Sequence, residues 1–551
     1  MNRILFVILS VFLFSCNSTK QTVSYDATQH KTKDFVWEGA NLYFLMIDRF
    51  NNGDTTNDNL LHRNNPTGKY RDFMGGDLKG IIQKLDEGYF DKLGVNVIWM
   101  TPVVEQIHGS VDEGTGNTYG YHGYWTKDWT AIDPNFGTKE DLKELVEKAH
   151  QKGIRIMLDA VINHTGPVTD LDPAYPEDWV RTKPKCTYDS YNNYIDCTLV
   201  ENLPDVLTES NQEVSLPPFL VEKWEKEGRY DQEIRELNDF FVKTGSPRAP
   251  KYYIMKWLSD YITDYGIDGY RVDTAKHVTE DVWAEFANLT NEVFKEYKKN
   301  HPDKVLDDAD FYLLGEVYGY GLHGKRIYDF GDRKVDYFAN GFDNLINFDF
   351  KGDANKNYKT LFNDYNQILQ NELKGKSVMN YISSHDDSGP YDRKREKAIE
   401  GGTKLLLTPG IAQIYYGDET ARPLVIDGAI GDANLRSPMN WIDLKNNESA
   451  QKILNHYQKL GQFRKNHPAV GAGKHEDIAA PYYTFSRTLN DDKVIIVLDA
   501  PAWDKEITVG DLFADGTKLR DAYSGIEMKV DKGKVKLDTP FEIVLLEEVN
   551  K

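Results

Sequence analysis

The stretch TKEDLKELVEKAHQKGIRIMLDAVINH, residues 138–164, reads as a helix that hands over to a strand. Leu142, Leu145, Val146 and Ala149 recur at i, i+3, i+4 and i+7, which puts them on one face of a 3.6-residue helix. Thr138 stands where its hydroxyl can cap the first turn, and Gly153 supplies the stop. The run Ile154 to Leu158 follows, apolar apart from Arg155, as a strand covered on both faces would be. Working outward, similar runs occur at Leu42–Ile47, Val95–Met100, Ile267–Val272, Phe311–Gly315, Leu345–Phe348, Val378–Ile382 and Ile411–Tyr415, separated by amphipathic helical stretches. Strands alternating with helices imply βα units and parallel pairing. Eight of them predict an α/β fold closed into a (β/α)8 TIM barrel.

Two regions break the alternation. Residues 164–248 carry scattered Pro, Tyr and Asp with no clean period, a span too long for a bare loop in a compact fold. They are expected to form a small domain inserted after the third strand, dividing the barrel into residues 35–163 and 249–467. From 468 to 551 the pattern changes to short alternating strands, such as Tyr482–Ser486 and Lys493–Leu498, with turns like Asn490-Asp491-Asp492. That reads as an appended antiparallel β-sandwich domain. A chain of 551 residues accommodates this division, since length alone suggests roughly three or four domains.

Lys and Arg number 66 against 87 Asp and Glu, a formal charge of −21. Such a surface repels phosphates, which argues against nucleic acid or an anionic bilayer as partner. At the N-terminus, residues 1–15 (MNRILFVILSVFLFS) place one Arg before an apolar run shorter than the roughly 20 residues a membrane-spanning helix needs. They read as a secretory signal. Leu13-Phe14-Ser15-Cys16 resembles the bacterial lipobox, so Cys16 is the expected lipidation site, with a plain cleaved signal as the alternative. Residues 16–34, polar and Thr-rich, would then be a tether. The chain is expected to be exported, as a lipoprotein of the outer membrane, periplasm or cell surface, touching the membrane only through that anchor. Of the other cysteines, Cys186 and Cys197 are either a disulfide, which an exported chain permits, or two free thiols.

Polar residues gather where the predicted strands end. The third runs into Asp159-Ala160-Val161-Ile162-Asn163-His164, and the fourth into Arg271-Val272-Asp273 and on to Lys276-His277. The fifth ends in Gly315-Glu316, and the seventh runs into Ser384-His385-Asp386-Asp387. Any one of these could be an ion pair or a helix cap. In a barrel, however, all C-terminal strand ends share one rim, which is where active sites form. Asp273, Glu316 and Asp386 together suit acetal cleavage, which needs a proton donor for the leaving oxygen and a second carboxylate for the cation-like carbon. Retaining enzymes hold that pair about 5–5.5 Å apart. Arg271 would keep Asp273 ionised, while an apolar pocket would raise Glu316.

The segments DAVINHTG from Asp159, GYRVDTAKH from Gly269, GEV from Gly315 and YISSHDD from Tyr381 resemble the four ordered motifs of the α-amylase family, glycoside hydrolase family 13. YHGYW from Tyr121, LPD from Leu203 and YYGDE from Tyr415 are similar to that family as well. The resemblance implies Asp273 as nucleophile, Glu316 as general acid/base and Asp386 as the third carboxylate, gripping sugar hydroxyls. It implies that Arg271 orients the nucleophile, that His164 and His385 donate to the same sugar, and that Tyr124 is its stacking platform with His122 beside it. Lys276 and His277 fall on the leaving-group side, and Asp432 and Arg436 resemble a pair gripping a more distant glucose. The substrate implied is an α-glucan, starch or maltooligosaccharides.

Asn52-Gly53-Asp54-Thr55-Thr56-Asn57-Asp58 with Gly75-Gly76-Asp77 downstream clusters the oxygen ligands calcium prefers, although Asx-rich turns often satisfy only their own backbone. The segment resembles a calcium loop of part of the family, with Asn52, Asp54, Asn57, Asp58, the Gly75 carbonyl and Asp77 as ligands. A second family calcium, between barrel and insert, is implied at Asn163, Asp205 and the His277 carbonyl. The expectation is therefore a Ca2+-dependent retaining α-amylase, with one or two calcium sites. A neopullulanase, cyclomaltodextrinase or glucan transferase is the rival within the class, and a non-catalytic glycan-binding lipoprotein the rival outside it. The glycine-rich 109–123 stretch lacks the Lys-Ser/Thr ending of a phosphate loop.

Overall fold

The structure, a computed structural model, describes residues 35–549. The expected signal, Cys16 and the expected tether lie outside the described residues. Eight parallel strands close on themselves: β1 (Asn41–Leu45), β2 (Val97–Met100), β3 (Arg155–Ala160), β4 (Gly269–Val272), β5 (Tyr312–Gly315), β6 (Asn344–Asn347), β7 (Ser377–Tyr381) and β8 (Ile411–Tyr415). Each pairs with its neighbour in sequence, and β8 returns to β1 with Asn41 opposite Ala412. Every residue of these strands is buried, which is why they read as apolar runs rather than alternating ones. The first strand stops two residues short of the expected Ile47. There the chain turns into a helical turn, Ile47–Phe50, because Asp48 folds inward to accept the amides of Met74 and Gly75 (2.9 and 3.2 Å).

The helices that cover the barrel include α1 (Leu78–Asp86), α2 (Lys139–Gln151), and, after the inserted segment, α5 (Pro250–Tyr265) and α6 (Glu280–Asn300). Thr138 caps α2 in a reciprocal box with Asp141, and its four apolar residues face the barrel fully buried. Between β5 and β6 the alternation fails: a small hairpin, Tyr328–Asp329 with Lys334–Val335, stands in place of a long helix. The pattern resumes with α7 (Tyr358–Gln370), α8 (Ala398–Leu407) and α9 (Glu448–Asn466). Trp257 and Trp283 are core residues, fully buried. Asp307, of the adjacent Asp307-Asp308, is ion-paired with Arg155.

The inserted stretch is more regular than its sequence suggests. It contains α3 (Pro218–Lys226) and α4 (Tyr230–Thr244), a short antiparallel pair (Val180–Arg181 with Asp205–Val206) and a disulfide between Cys186 and Cys197. α3 buries only Leu220 and Trp224, and α4 only Glu233, Leu237 and Phe241. A single row of buried side chains is too thin a stripe to stand out as helical periodicity.

Past α9 come β9 (Lys474–Ile478), β10 (Tyr483–Leu489), β11 (Asp492–Leu498), β12 (Trp503–Thr508), β13 (Lys518–Asp521), β14 (Glu527–Lys529), β15 (Lys534–Thr539) and β16 (Val544–Glu548). Six form one antiparallel sheet in the order β9-β10-β11-β16-β13-β14, and β12 pairs with β15. Ile495, Val497, Val544 and Leu546 of the first sheet share a core with Ile507, Val535 and Leu537 of the second, the sandwich expected from alternation. Among the described residues no helix is long and apolar enough to cross a membrane.

Candidate active site

Asp273 and Glu316 are the first residues past β4 and β5. Those strands pair with Val272 opposite Gly315, so the two carboxylates leave neighbouring strands at the same height. The backbone continues the ladder there, the Glu316 amide bonding the Val272 carbonyl at 2.9 Å. Gly315 has no room for a side chain, since a Cβ would stand 2.9 Å from Leu345 and Phe342. On the other side, Arg271 of β4 lies directly opposite Asp159 of β3.

Arg271 is the hub. Its guanidinium reaches Asp159 (3.0 Å), Asp273 (2.6 Å) and Glu316 (3.0 Å), and it is 1% exposed. Asp159 also accepts from the Tyr124 hydroxyl (2.9 Å) and the Trp99 indole (3.2 Å), so Trp99 is part of the site as well as of the core. Thr274 adopts a left-handed backbone (φ +47°), which aims its amide at the second oxygen of Glu316 at 2.8 Å. Its hydroxyl donates to Asp273 (3.1 Å).

The carboxylates differ in setting. Glu316 is buried, and desolvation pushes its carboxyl well above the usual range. Arg271 and the Thr274 amide oppose this without cancelling it, because Asp273 and Asp386 add repulsion. Asp386, beyond β7, opens to the cleft with its side chain about a third exposed. Against the desolvation that would raise it, His385, Arg271, the Ser384 hydroxyl (2.9 Å) and Arg436 hold it below the ordinary value. Glu316 is therefore raised while Asp386 is lowered, a separation of neighbouring carboxylates that acid/base chemistry uses.

The histidines are buried and neutral near pH 7. Desolvation lowers His122 and His164 and brings His385 and His277 to about 4. The Tyr124 ring stacks on His385 with centroids 5.3 Å apart, and the His122 ring lies 5.9 Å from it, also near parallel. His164 bonds the Tyr124 carbonyl at 3.1 Å. On the opposite wall Lys276 donates to the Tyr318 carbonyl (2.9 Å), and burial lowers its ammonium to about 8. His277 bonds the Tyr194 carbonyl (2.9 Å). The cleft is lined by Tyr124, Asp273, Glu316, Lys276, His385 and Asp386, with Tyr188, Tyr194, Tyr318 and Arg436 around them. Arg436 pairs with Asp432 (2.6 Å), whose other oxygen is held by Arg71 (2.7 Å), so this pair is a triad.

Asp159, Thr274, Arg71 and the cleft tyrosines at 188, 194 and 318 were not singled out as site residues from sequence. Asp159 had a signal, since it opens the DAVINH motif, but its partner across the sheet is a matter of register. Tyr188 and Tyr194 had only the scattered tyrosines of the insert as a signal, and Tyr318 only its place just after the GEV segment.

Two oxygen clusters lie at the expected metal positions. In the first, a Cβ on Gly75 (φ +86°) would sit 2.4 Å from Asn52 Nδ2 and 2.7 Å from Asp58 Oδ1, so the backbone approaches both side chains closely. Asn57 is buried with its Oδ1 unpartnered. Asp77 accepts the amides of Gly53, Asp54 and Gly80, while Asp54 is engaged by Lys79 (2.6 Å). In the second, the Asn163 carboxamide oxygen faces the His277 carbonyl at 3.0 Å and Asp205 Oδ1 at 3.2 Å. Three acceptors then meet with no proton among them, which either a cation or a turned amide resolves. Among the described residues no three His, Cys, Asp or Glu side chains gather closely enough to hold a metal ion by themselves, so a cation at either cluster would depend on amides and carbonyls as well.

The family description "Alpha amylase, catalytic domain" matches residues 44–473. The periplasmic α-amylase of Escherichia coli K12 is 36% identical over 520 residues, 84% of this chain and 72% of its own. Neopullulanase 2 of Thermoactinomyces vulgaris is 25% identical, covering 97% of this chain and 82% of its own. Among solved structures, an Anoxybacillus α-amylase superposes with a TM-score of 0.63 at 25% identity, over 93% of this chain and 99% of that one.

Proposed function

The chain belongs to the α-amylase family and is a glycoside hydrolase of the α-amylase type, and from that premise we propose that it cleaves α-1,4-glucosidic bonds of starch and maltodextrins with retention of configuration. The observation that carries this reading is the pair Asp273 and Glu316, leaving adjacent strands at one height and sharing Arg271, with Glu316 raised by burial. Glu316 gives its proton to the glycosidic oxygen as the C1–O bond breaks, and Asp273 bonds to C1. The Glu316 carboxylate then takes a proton from water, whose oxygen displaces Asp273 and restores both groups. Asp386, His385 and His164 hold the sugar at the cut, Tyr124 stacks beneath it, and Lys276 and His277 serve the leaving side. Asp432 and Arg436, steadied by Arg71, grip a glucose further along.

Calcium fits both oxygen clusters: the unpartnered Asn57 Oδ1 beside Asn52, Asp58, the Gly75 carbonyl and Asp77, and the convergence of Asn163, Asp205 and the His277 carbonyl. When bound, it supplies charge that ties loops together. The chain's own residues carry the proton and the nucleophile.

The testing assay is product analysis on amylose, pullulan and cyclodextrin, with and without chelator, with Tm read alongside. Maltooligosaccharides from amylose with little release from pullulan are expected. Calcium at about a hundred times its dissociation constant would add roughly 2.7 kcal/mol, seen as a higher Tm that Asn163→Ala blunts. Panose or maltose from pullulan and cyclodextrin would move the enzyme to the neopullulanase side. No product from any substrate would sink the starch reading, and a Tm indifferent to chelator would sink calcium.

The E. coli relative is periplasmic by name. We propose export here too, with Cys16 lipidated. Cys16→Ser should then move the enzyme from the membrane to the soluble fraction, and an unchanged distribution would rule the anchor out.

A further inference from the structure

The loop after β7 carries two carboxylates in succession, and only Asp386 lines the cleft. Asp387 turns the other way and is 4% exposed. Its Oδ2 accepts the Tyr381 hydroxyl (2.5 Å) and is ion-paired with Lys351, which projects from the short helix Phe350–Asp353 after β6. Its Oδ1 accepts the Gly389 amide at 3.0 Å, closing the turn. Asp387 is therefore tied to the end of its own strand, to the element after the neighbouring strand, and to the loop beyond it.

The charges around this point explain why a cation is needed. The Tyr318 hydroxyl is raised by burial and then by Asp387, Asp386 and Glu316, so all three carboxylates act on one neighbourhood. Facing Glu316 are Arg271, Asp273, Asp386 and the Thr274 amide, with Lys276 across the cleft. Facing Asp386 are His385, Arg271, Arg436 and the Ser384 hydroxyl. Apart from Lys351, none of these cations contacts Asp387. Without Lys351, a second buried negative charge would stand directly behind Asp386, in the loop that presents Asp386 to Glu316.

We propose that Lys351 and Asp387 form a positioning and charge-balancing pair: the pair fixes the loop that presents Asp386, and Lys351 neutralises the second carboxylate so that only Asp386 acts on Glu316. Neither residue touches substrate. Both act through Asp386 and Glu316, and the pair rests on the reading of Glu316 as proton donor.

The test is kcat/KM on maltoheptaose against pH, for the wild type and for K351M, K351R, D387N and K351M/D387N. Removing the lysine leaves an extra negative charge, so the alkaline limb of K351M should move up by roughly half a pH unit. D387N leaves an extra positive charge, and its limb should move down by a similar amount. K351R and the double variant should return the limb to the wild-type position. A pair that is only structural would lower rates in both single variants and leave the limb where it was, which would overturn the proposal. If K351M does not fold, D387N against K351R still decides the sign. A wild type that hydrolyses maltoheptaose with no alkaline limb would sink the proton-donor reading itself, whereas a wild-type limb that stays put in the variants overturns only this inference.

Discussion

Asp273→Asn is expected to lower kcat/KM on maltoheptaose by at least about 10^4-fold, because the amide keeps the shape but is too weak a nucleophile to bond C1. The loss should fall on kcat. Arg271 and Thr274 still hold the side chain in place, and the rest of the cleft still grips the glucan. Amylose binding should therefore survive, which a non-catalytic glycan binder would also show, but without any wild-type rate to lose. Glu316→Gln is the companion. Loss of the general acid should cost about 10^2–10^4-fold on maltoheptaose, and far less on an α-maltosyl fluoride, whose leaving group needs no proton. The sign of the pH dependence follows from the raised Glu316 carboxyl: its proton is present at low pH and lost as pH rises through the folded-state value, so wild-type activity falls on the alkaline side. Equal losses for Glu316→Gln on both substrates would contradict the acid role, and Asp273→Asn retaining a tenth of wild-type kcat would contradict the nucleophile.

Arg271→Met should be the most damaging change to stability near the site. It removes the cation shared by Asp159, Asp273 and Glu316, all buried. Breaking a buried pair from one side costs about 3–5 kcal/mol, since the stranded charges remain desolvated. Asp159 and Glu316 are already raised by burial, and without Arg271 they rise further. A carboxyl raised in the folded state contributes stability below its unfolded value and loses it as pH climbs through the folded one. The Tm deficit should therefore be small near pH 4–5, where these raised groups already hold their protons, and largest at pH 8, where they are losing them. Paired melting curves at the two pH values check this. A deficit that is the same at both, or absent, would mean that Arg271 is not balancing these carboxylates. Arg271→Lys should recover little, because one ammonium cannot span three carboxylates as a planar fork does.

The barrel was legible because its strands are covered on both faces, so each appears as a largely apolar run in the sequence rather than an alternating one. The rim carboxylates followed from where those runs stop. The two helices of the insert were not legible: each packs through one row, Leu220 and Trp224 in α3 and Leu237 and Phe241 in α4, amid charged residues. Asp159 illustrates a different limit. Its residue type and motif were visible, but its role depends on standing opposite Arg271 in the β3–β4 register, and register belongs to the folded sheet. Asp387 is adjacent to Asp386 in the sequence, and nothing local marks its partner Lys351, 36 residues earlier.

The closure of β8 onto β1 sets an order of events during synthesis. Asn41 must wait for Ala412, so a nascent chain that has emerged only as far as β7 has every proposed catalytic residue except those in the Asp386 loop, yet two unpaired sheet edges. A partner that holds the chain open needs to act only until those last few dozen residues arrive. Parallel pairing over such a sequence distance is slow, and open edges invite aggregation. Fragments ending before residue 411 should thus be recovered as insoluble material rather than as weakened enzyme, which makes this barrel a poor candidate for splitting near its end.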